Sequence, residues 1–479
     1  MDLTSPAPLE RTLTLRSAVT LNLLDMIGVG PFITLPLLLA AMGGPQAMLG
    51  WVLGAGLALC DGLVWAELGA AMPEAGGTYH YLRQIYGGRL GRLLSFLFLF
   101  QLCFSAPLSV ASGCIGLAQY ATFLWPSLGG QVTAHTFKLG VYSAAVSFGP
   151  TTLVAMGAIA LAVLLLYRNL TKMRALAALL LTTVLITIGW AVVTGLLHGH
   201  IGQAFAFAPG AWHPDRAFFT GLGSAMLIAT YDYWGYYNVT FLGGEAKDPG
   251  RTIPRAVLIA IAIVAALYLA LNVSILSVLP SPVLLALQNI EARRALLSQF
   301  MQVAYTPSLG ASGGLLMGRI AAVLVMVTAF ASVFSLLLGY SRIPFAAARE
   351  GGFFSVFGRL HPTRHFPHVA LLALAGVACL ACFFSLGDVV AALVVIRILL
   401  QFLLQHVGVM VLRSRQPELP RPFRMKLYPL PPVLALLGFL YIVVFRPNFH
   451  REVALAGIVM IAGVLAYAVW LRLAREEQI

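Results

Sequence analysis

Charge is scarce in this chain. Asp, Glu, Lys and Arg make up 10% of its 479 residues against 60% hydrophobic residues, and the mean hydropathy is +0.89. So little polar surface cannot cover a soluble globule of this length, and that class is excluded. Cysteine is scarce too. The five, Cys60, Cys103, Cys114, Cys379 and Cys382, all fall in apolar runs, where a thiol behaves as a small apolar residue. Cys379 and Cys382 have C-x-x-C spacing, but no second Cys/His pair accompanies them, so neither a metal site nor a disulfide is expected. Alternating strands of about ten residues, the mark of a membrane β-barrel, are not visible. Also missing are H-E-x-x-H and a paired-acid motif, and Gly221-Leu222-Gly223 lacks the third glycine of a dinucleotide fingerprint. No enzyme and no cofactor are expected.

What is present is a series of apolar runs, about twelve, each of roughly 17–25 residues and long enough to cross a membrane core as a helix. They cover residues 17–41, 48–71, 93–124, 151–167, 173–197, 218–242, 256–279, 315–340, 369–385, 389–412, 430–445 and 453–471, here called spans 1 to 12. The expected fold class is therefore an all-α polytopic membrane protein. The first run continues into the next without a small-residue cleavage site and is expected to be a retained helix. The longest polar connection, residues 280–314, is still sprinkled with Leu, Phe and Met.

A net charge of +13 would suggest nucleic acid in a soluble protein, but here the charges alternate by loop. Arg11 and Arg16 precede span 1, Arg83, Arg89 and Arg92 follow span 2, Arg168, Lys172 and Arg174 lie at the junction of spans 4 and 5, and Arg472 and Arg475 follow span 12. Lys247, Arg251 and Arg255 follow span 6, Arg342, Arg349, Arg359 and Arg364 follow span 8, and Arg413, Arg415, Arg421, Arg424 and Lys426 follow span 10. The opposite loops hold little beyond Lys138, Arg216, Arg293, Arg294, Arg446 and Arg451. Excess Lys and Arg mark cytoplasmic loops. Both termini are thus expected in the cytoplasm, the membrane being the inner or plasma membrane, and nucleic acid is no expected partner.

Two runs are interrupted where a lipid-facing helix should not be. Span 6 reads Tyr231-Asp232-Tyr233-Trp234-Gly235-Tyr236-Tyr237 at its centre, a carboxylate and a glycine among aromatics. A charge at bilayer depth costs about 2.5–3.5 kcal/mol on insertion scales and normally faces a cavity or pathway. Span 1 holds Asp25 one turn before Gly28-Val29-Gly30-Pro31, where Pro31 cannot donate a helical hydrogen bond. Freed backbone groups are tolerated at that depth only where protein or a cavity receives them. First and sixth are corresponding positions if spans 1–5 and 6–10 are two repeats, and an odd helix count inverts the second. Paired broken helices of this kind point to a secondary transporter's site. Half-helix N-termini suit a carboxylate, while exposed carbonyls and aromatics suit an ammonium or a cation.

Five motifs then resemble those of the amino acid–polyamine–organocation superfamily of permeases. They are Gly28-Val29-Gly30-Pro31-Phe32; Glu67-Leu68 through Pro73-Glu74-Ala75-Gly76-Gly77-Thr78-Tyr79; and Gly244-Glu245-Ala246-Lys247-Asp248-Pro249 with Arg251-Thr252-Ile253-Pro254-Arg255-Ala256. Ser341-Arg342 with Ala347-Ala348-Arg349-Glu350-Gly351, and Arg421-Pro422-Phe423-Arg424, complete the set. Their order and their cytoplasmic placement make the likeness specific. The third is especially similar to polyamine and large-neutral amino acid members.

The resemblance implies a cytoplasmic segment 1–16, a five-helix repeat at 17–197, an inverted repeat at 198–412 and two further helices with a cytoplasmic tail at 413–479. It implies alternating-access transport of an amino acid, by exchange or coupled to H+ or Na+, with a polyamine or cationic amino acid as the alternative. A channel or non-transporting sensor is a more distant reading. Substrate contacts would come from Asp25, Gly28, Val29, Gly30, Pro31, Tyr231, Asp232, Tyr233, Trp234, Gly235 and Tyr236, with Tyr236 as the closing aromatic. Many members carry a lysine in helix 5 in place of sodium, but span 5 has only Thr182, Thr183 and Thr187 there. Ion coupling would then fall to Asp232 or Asp25 for a proton, or to Ser332 and Ser335, with Thr328, for sodium. The alternative for these hydroxyls is a bond to their own helix. Arg397, Gln401 and Gln405 form a polar stripe on span 10 that lines the path or ties helices together. His406 beside it reports pH or packs as a neutral ring, and Asp61 in span 2 has no assigned role. Glu67 and Glu245 are expected in cytoplasmic helix-end networks.

Overall fold

A computed structural model of the protein describes residues 11–130, 133–139, 142–167, 170–286, 295–384, 397–445 and 449–476. Arg168, Arg293, Arg294, Arg446 and residues 389–396 of the expected tenth span lie outside the described residues. Span 1 is two helices, α1 (Leu15–Met26) and α2 (Leu35–Met42), bent by 61° across the glycine-rich break. Span 2 is α3 (Met48–Ala71), followed by a short α4 (Thr78–Tyr86); span 3 is α5 (Gly88–Leu124). Spans 4 and 5 are α6 (Pro150–Leu166) and α7 (Leu170–His198). Span 6 is again two pieces, α8 (Arg216–Tyr233) and α9 (Asn238–Phe241), and span 7 is α10 (Pro249–Val278).

Beyond them lie α11 (Ser281–Ala286), α12 (Leu296–Tyr340), α13 (Arg342–Arg349), α14 (His368–Ala381), a π-helical turn at Ile398–Leu403 running into α15 (Leu404–Arg415), α16 (Leu430–Val444) and α17 (Phe449–Glu476). Among the described residues, five helices are long and apolar enough to cross a membrane, and the bent pair makes a sixth. Pro150–Leu166, His368–Ala381, Leu430–Val444 and Ala456–Arg472 are shorter apolar helices. This is the expected all-α membrane architecture.

Local chemistry sets the ends. Thr14 caps α1 by accepting the Ser17 amide, and Asp215 caps α8 by accepting the Phe218 amide at 2.7 Å. α3 packs on α8, α10 and α16, α5 on α12, and α1 against α10, α12 and α7. The core therefore surrounds the two broken segments.

Two connections differ from expectation. Within residues 280–314, the described parts are helical: α11 covers Ser281–Ala286 and α12 begins at Leu296, where Leu296, Leu297, Phe300 and Met301 are buried. α12 then turns at Gly310 (φ 71°, ψ 175°), three residues after Pro307. Between spans 3 and 4 an antiparallel hairpin pairs β1 (Thr133–Leu139) with β2 (Tyr142–Phe148), from Thr133↔Phe148 to Leu139↔Tyr142. It is too small to announce itself in a chain this apolar.

The loops expected in the cytoplasm are locked by charge. Glu67, fully buried at the end of α3, accepts Arg413 Nε and Nη2 at 2.7 and 2.6 Å and the Met425 amide at 2.9 Å. Arg342 Nε donates to Glu245 at 2.9 Å. Leu13 pairs its backbone with Glu245 and Lys247. Both acids thus sit in helix-end networks, as expected.

On α4, His80 lies between two carboxylates, 3.1 Å from Glu74 and 2.9 Å from Glu350. Burial opposes its charge, but hydrogen bonds to Glu350 and Glu74 outweigh it and raise its pKa from 6.5 to about 9. A raised histidine contributes stability that is complete below the unfolded value and lost as pH climbs through the folded one. The melting-temperature gap between wild type and His80→Gln should therefore be widest below pH 6.5 and close as pH passes about 9. Thermal melts in detergent would read it; a gap independent of pH would refute the charged bridge.

Candidate functional site

The two breaks face each other. α1 ends at Met26, the chain runs irregularly through Gly28 and Val29, and Pro31 sits in the 3-10 turn Gly30–Phe32, where a missing amide proton costs nothing. α8 ends at Tyr233, and Gly235 takes φ +122°, a region that L side chains rarely adopt. A Cβ on Gly235 would lie 2.7 Å from the Met26 nitrogen and 2.9 Å from the Asp25 carbonyl carbon, and one on Gly30 would run into the Asp232 carboxylate. The glycines are what allow the segments to touch.

Side chains from other helices take up the freed backbone groups. The Asn22 amide donates to the Tyr236 carbonyl at 2.6 Å while its oxygen accepts the Val239 amide at 3.0 Å. Tyr268 donates to the Met26 carbonyl at 2.6 Å, and Tyr120 to that of Phe32 at 2.8 Å. Ser335 donates to the Leu21 carbonyl at 2.8 Å and Ser332 to that of Asp25 at 3.3 Å.

The carboxylates and aromatics separate. Asp232 accepts Thr34 Oγ1 at 2.5 Å. Asp25 is buried, and its Oδ2 has no hydrogen-bond partner among the described residues. Tyr231 bonds Ser112 at 3.1 Å, and Tyr233 packs edge-on to Trp51 and donates to its carbonyl at 3.3 Å. Trp234 stacks on Phe402 with ring centroids 5.0 Å apart and carries the Arg397 guanidinium 5.4 Å from its ring centroid. Arg397, buried, is also 5.6 Å from the Tyr340 ring centroid, donates to Ser109 at 3.0 Å, and lies within electrostatic reach of Asp25. Among the described residues, Arg397 Nε, Trp234 Nε1 and the Tyr237 hydroxyl have no hydrogen-bond partner. A carboxyl group and a guanidinium thus lie buried and incompletely bonded beside two broken helices.

A model of the amino acid permease family matches residues 13–469. The chain belongs to that family. It is 26% identical to the serine/threonine exchanger SteT of Bacillus subtilis over 91% of this chain and 90% of the relative. It is 28% identical to the Asc-type amino acid transporter 1 of Mus musculus, over 95% and 80%. The branched-chain amino acid permease BcaP of Bacillus subtilis is 25% identical over 88% and 86%.

In this permease, Tyr236 is placed differently from a closing aromatic. Its phenol is fully buried and donates to Asp61 on α3, inside the packing and not over the break. The ring beside the charged pair is that of Trp234. Of the three candidate hydroxyls, Thr328 bonds its own helix at Leu324, whereas Ser332 and Ser335 cross to α1. Val29 packs on Gly116 and Gly28 lies under Ser332. Within the polar stripe, Arg397 reaches the site and Gln405 ties α15 to Thr78 at 3.1 Å. The residues that sequence reasoning missed are Asn22, Thr34, Ser112, Tyr268 and Tyr340. Only Asn22, an amide in an apolar run three residues before Asp25, left a readable signal.

Gly235→Ala should cost about 1–3 kcal/mol through backbone strain alone. Gly376→Ala, where a Cβ meets nothing within 4 Å, serves as control. Melting of the two purified variants should show a large drop for the first and little for the second; equal melting would sink the close-contact argument.

Proposed function

We propose that this permease moves a small zwitterionic amino acid by secondary active, alternating-access transport, with the substrate held where spans 1 and 6 break. The observation that carries this is the pair of incompletely bonded charges, Asp25 Oδ2 and Arg397 Nε. A zwitterion offers one group to each, its ammonium to Asp25 and its carboxylate to Arg397, and the Gly30 amide at the start of the Gly30–Phe32 turn can donate further to the carboxylate. Trp234 and Tyr237 would close the apolar side. A polyamine has nothing to offer a buried guanidinium, so the arrangement favours an amino acid. The names of the three relatives point the same way.

In this reading spans 1–5 and 6–10 are the two inverted repeats, both termini lie in the cytoplasm by the placement of Arg and Lys, and the protein sits in the inner or plasma membrane. A cavity lined by Arg16, Leu21, Glu245, Phe334 and Arg342 opens beside the lower half of α1 and would be the cytoplasmic vestibule. Ser332 and Ser335 already bond the α1 carbonyls that a sodium ion would use, which favours exchange or proton coupling over sodium.

The test is counterflow in proteoliposomes. Vesicles loaded with unlabelled L-serine, L-threonine or L-leucine should accumulate the labelled form saturably, without stimulation by putrescine. Arg397→Met and Asp25→Asn should each lower apparent affinity by at least roughly tenfold, since removing one partner of a buried charged contact costs about 2–5 kcal/mol. Unsaturable flux, or putrescine as the sole effective counter-substrate, would overturn the reading.

A further inference from the structure

Span 2 and span 10 meet at a second buried pair. His406 Nε2 lies 3.0 Å from Asp61 Oδ1, and neither side chain has any exposed surface. The other ring nitrogen, Nδ1, lies 2.6 Å from the Phe402 carbonyl oxygen. A carbonyl can only accept, so Nδ1 carries a hydrogen. In a neutral imidazole that assignment leaves Nε2 as a bare lone pair. Asp61 Oδ2 is occupied by two donors, Trp65 Nε1 at 3.0 Å and the Tyr236 hydroxyl. A neutral ring and an ionised carboxylate would therefore set two acceptors against each other at hydrogen-bonding distance in a dry site, a costly arrangement. One proton between Nε2 and Oδ1 removes the conflict, whichever atom carries it.

We propose that Asp61 and His406 together form a buried binding site for one transported or regulatory proton, coupled through Tyr236 to the break in span 6. The proposal rests on the transporter reading above and adds the coupling ion. Other titratable groups facing the pair are Tyr236 and Tyr237 from the span 6 break, the latter stacked on Trp65 at 4.7 Å, Tyr81 on α4, 6.2 Å from the same indole, and Cys60 beside Asp61 on α3. Phe439 of α16 covers the imidazole at 5.6 Å. Among the described residues no arginine or lysine bonds either member. The next charges on the same two helices, Glu67 and Arg413, satisfy each other roughly 10 Å further along, at 1.5 Å rise per residue.

Tyr236 links this site to the break. Its hydroxyl is on Asp61, its carbonyl accepts Asn22 of α1, and the preceding Gly235 lies against the backbone of Asp25 and Met26. Loss of the proton, released to water from whichever side the pathway opens, would restore the acceptor–acceptor repulsion and push α15 from α3. Tyr236 would carry that change to the substrate groups.

Two measurements test this on the full-length protein. The first needs no transport. Nitrogen-15 histidine spectra in lipid nanodiscs, with the His406 signal assigned by its loss in His406→Gln, are combined with infrared difference spectra of Asp61→Asn. At roughly pH 6 to 7, a doubly protonated His406 ring, or a carboxylic-acid band that vanishes in Asp61→Asn, supports the site; a neutral ring with an ionised Asp61 overturns it. The second uses counterflow of labelled L-serine against pH, with a pH dye inside the vesicles. Wild-type rates should change by up to roughly tenfold per pH unit, as one titrating proton allows. Asp61→Asn, whose amide can donate to Nε2, should transport with a flattened profile and no dye signal. A wild-type profile and dye signal in that variant would overturn the proposal even if amino acid transport stands. Absence of amino acid transport in wild type would instead overturn the transporter reading, leaving the spectra to decide the proton site.

Discussion

Everything at the centre of this permease depends on how backbone groups freed at two helix breaks find partners without water. A buried amide or carbonyl left without a hydrogen bond costs about 1–3 kcal/mol, whereas a made bond contributes only about 0.5–1.5 kcal/mol net. The breaks are thus expensive to leave open and cheap to close. Asn22 answers for two groups of span 6 at once, accepting one amide and donating to one carbonyl. Tyr268, Tyr120 and Ser332 answer for the Met26, Phe32 and Asp25 carbonyls of span 1, and Ser335 adds a bond to the Leu21 carbonyl within α1. Each of these bonds joins different spans, so the satisfaction that makes the breaks tolerable also sets where α1, α8, α10 and α12 sit.

The same economy governs charge. Buried ion pairs recover their desolvation cost only with good geometry and further hydrogen bonds, and they are weak devices for stability. Glu67 meets that standard, with a two-pronged arginine contact and a backbone amide. Asp232 is held by one neutral hydroxyl, while Asp25 and Arg397 keep unbonded atoms in the core. Glu67 at its helix end is multiply bonded, whereas Asp25, Asp232 and Arg397 beside the breaks each keep a buried atom unbonded among the described residues. Under the proposed function, that contrast is the difference between a structural ion pair and groups kept available for a substrate.

How much of this could be read from the chain varied with the kind of signal. Glycine, proline and a carboxylate within an apolar run violate a local rule, so both breaks were visible, as were the capped, arginine-rich loops. Directions of side chains were not. Nothing local says that Tyr236 turns toward Asp61 while Trp234 receives Arg397, because both outcomes depend on where spans 2 and 10 pack. His406 alone read as a pH reporter or a packed ring and Asp61 had no assigned role, and only tertiary contact makes them one group. Residues 296–314 were misjudged for the opposite reason: short apolar stretches cut by Gly310 and Pro307 look like a loop, yet Leu296, Leu297, Phe300 and Met301 supply enough buried surface to hold helix there.

The position of Tyr236 bears on coupling more than on gating. One residue touches the proposed proton site with its hydroxyl and α1, through Asn22, with its carbonyl, so a rearrangement at either end is felt at the other. Coupling between two binding events is reciprocal: if the proton favours substrate by some factor, substrate favours the proton by the same factor. A modest coupling of about 1.4 kcal/mol corresponds to about one pH unit in the proton affinity of the pair and about tenfold in substrate affinity. Loss or distortion of a single buried hydrogen bond can supply that amount. The link needs no long relay and no large motion of the core, since the two sites are already joined through the backbone and side chain of one tyrosine.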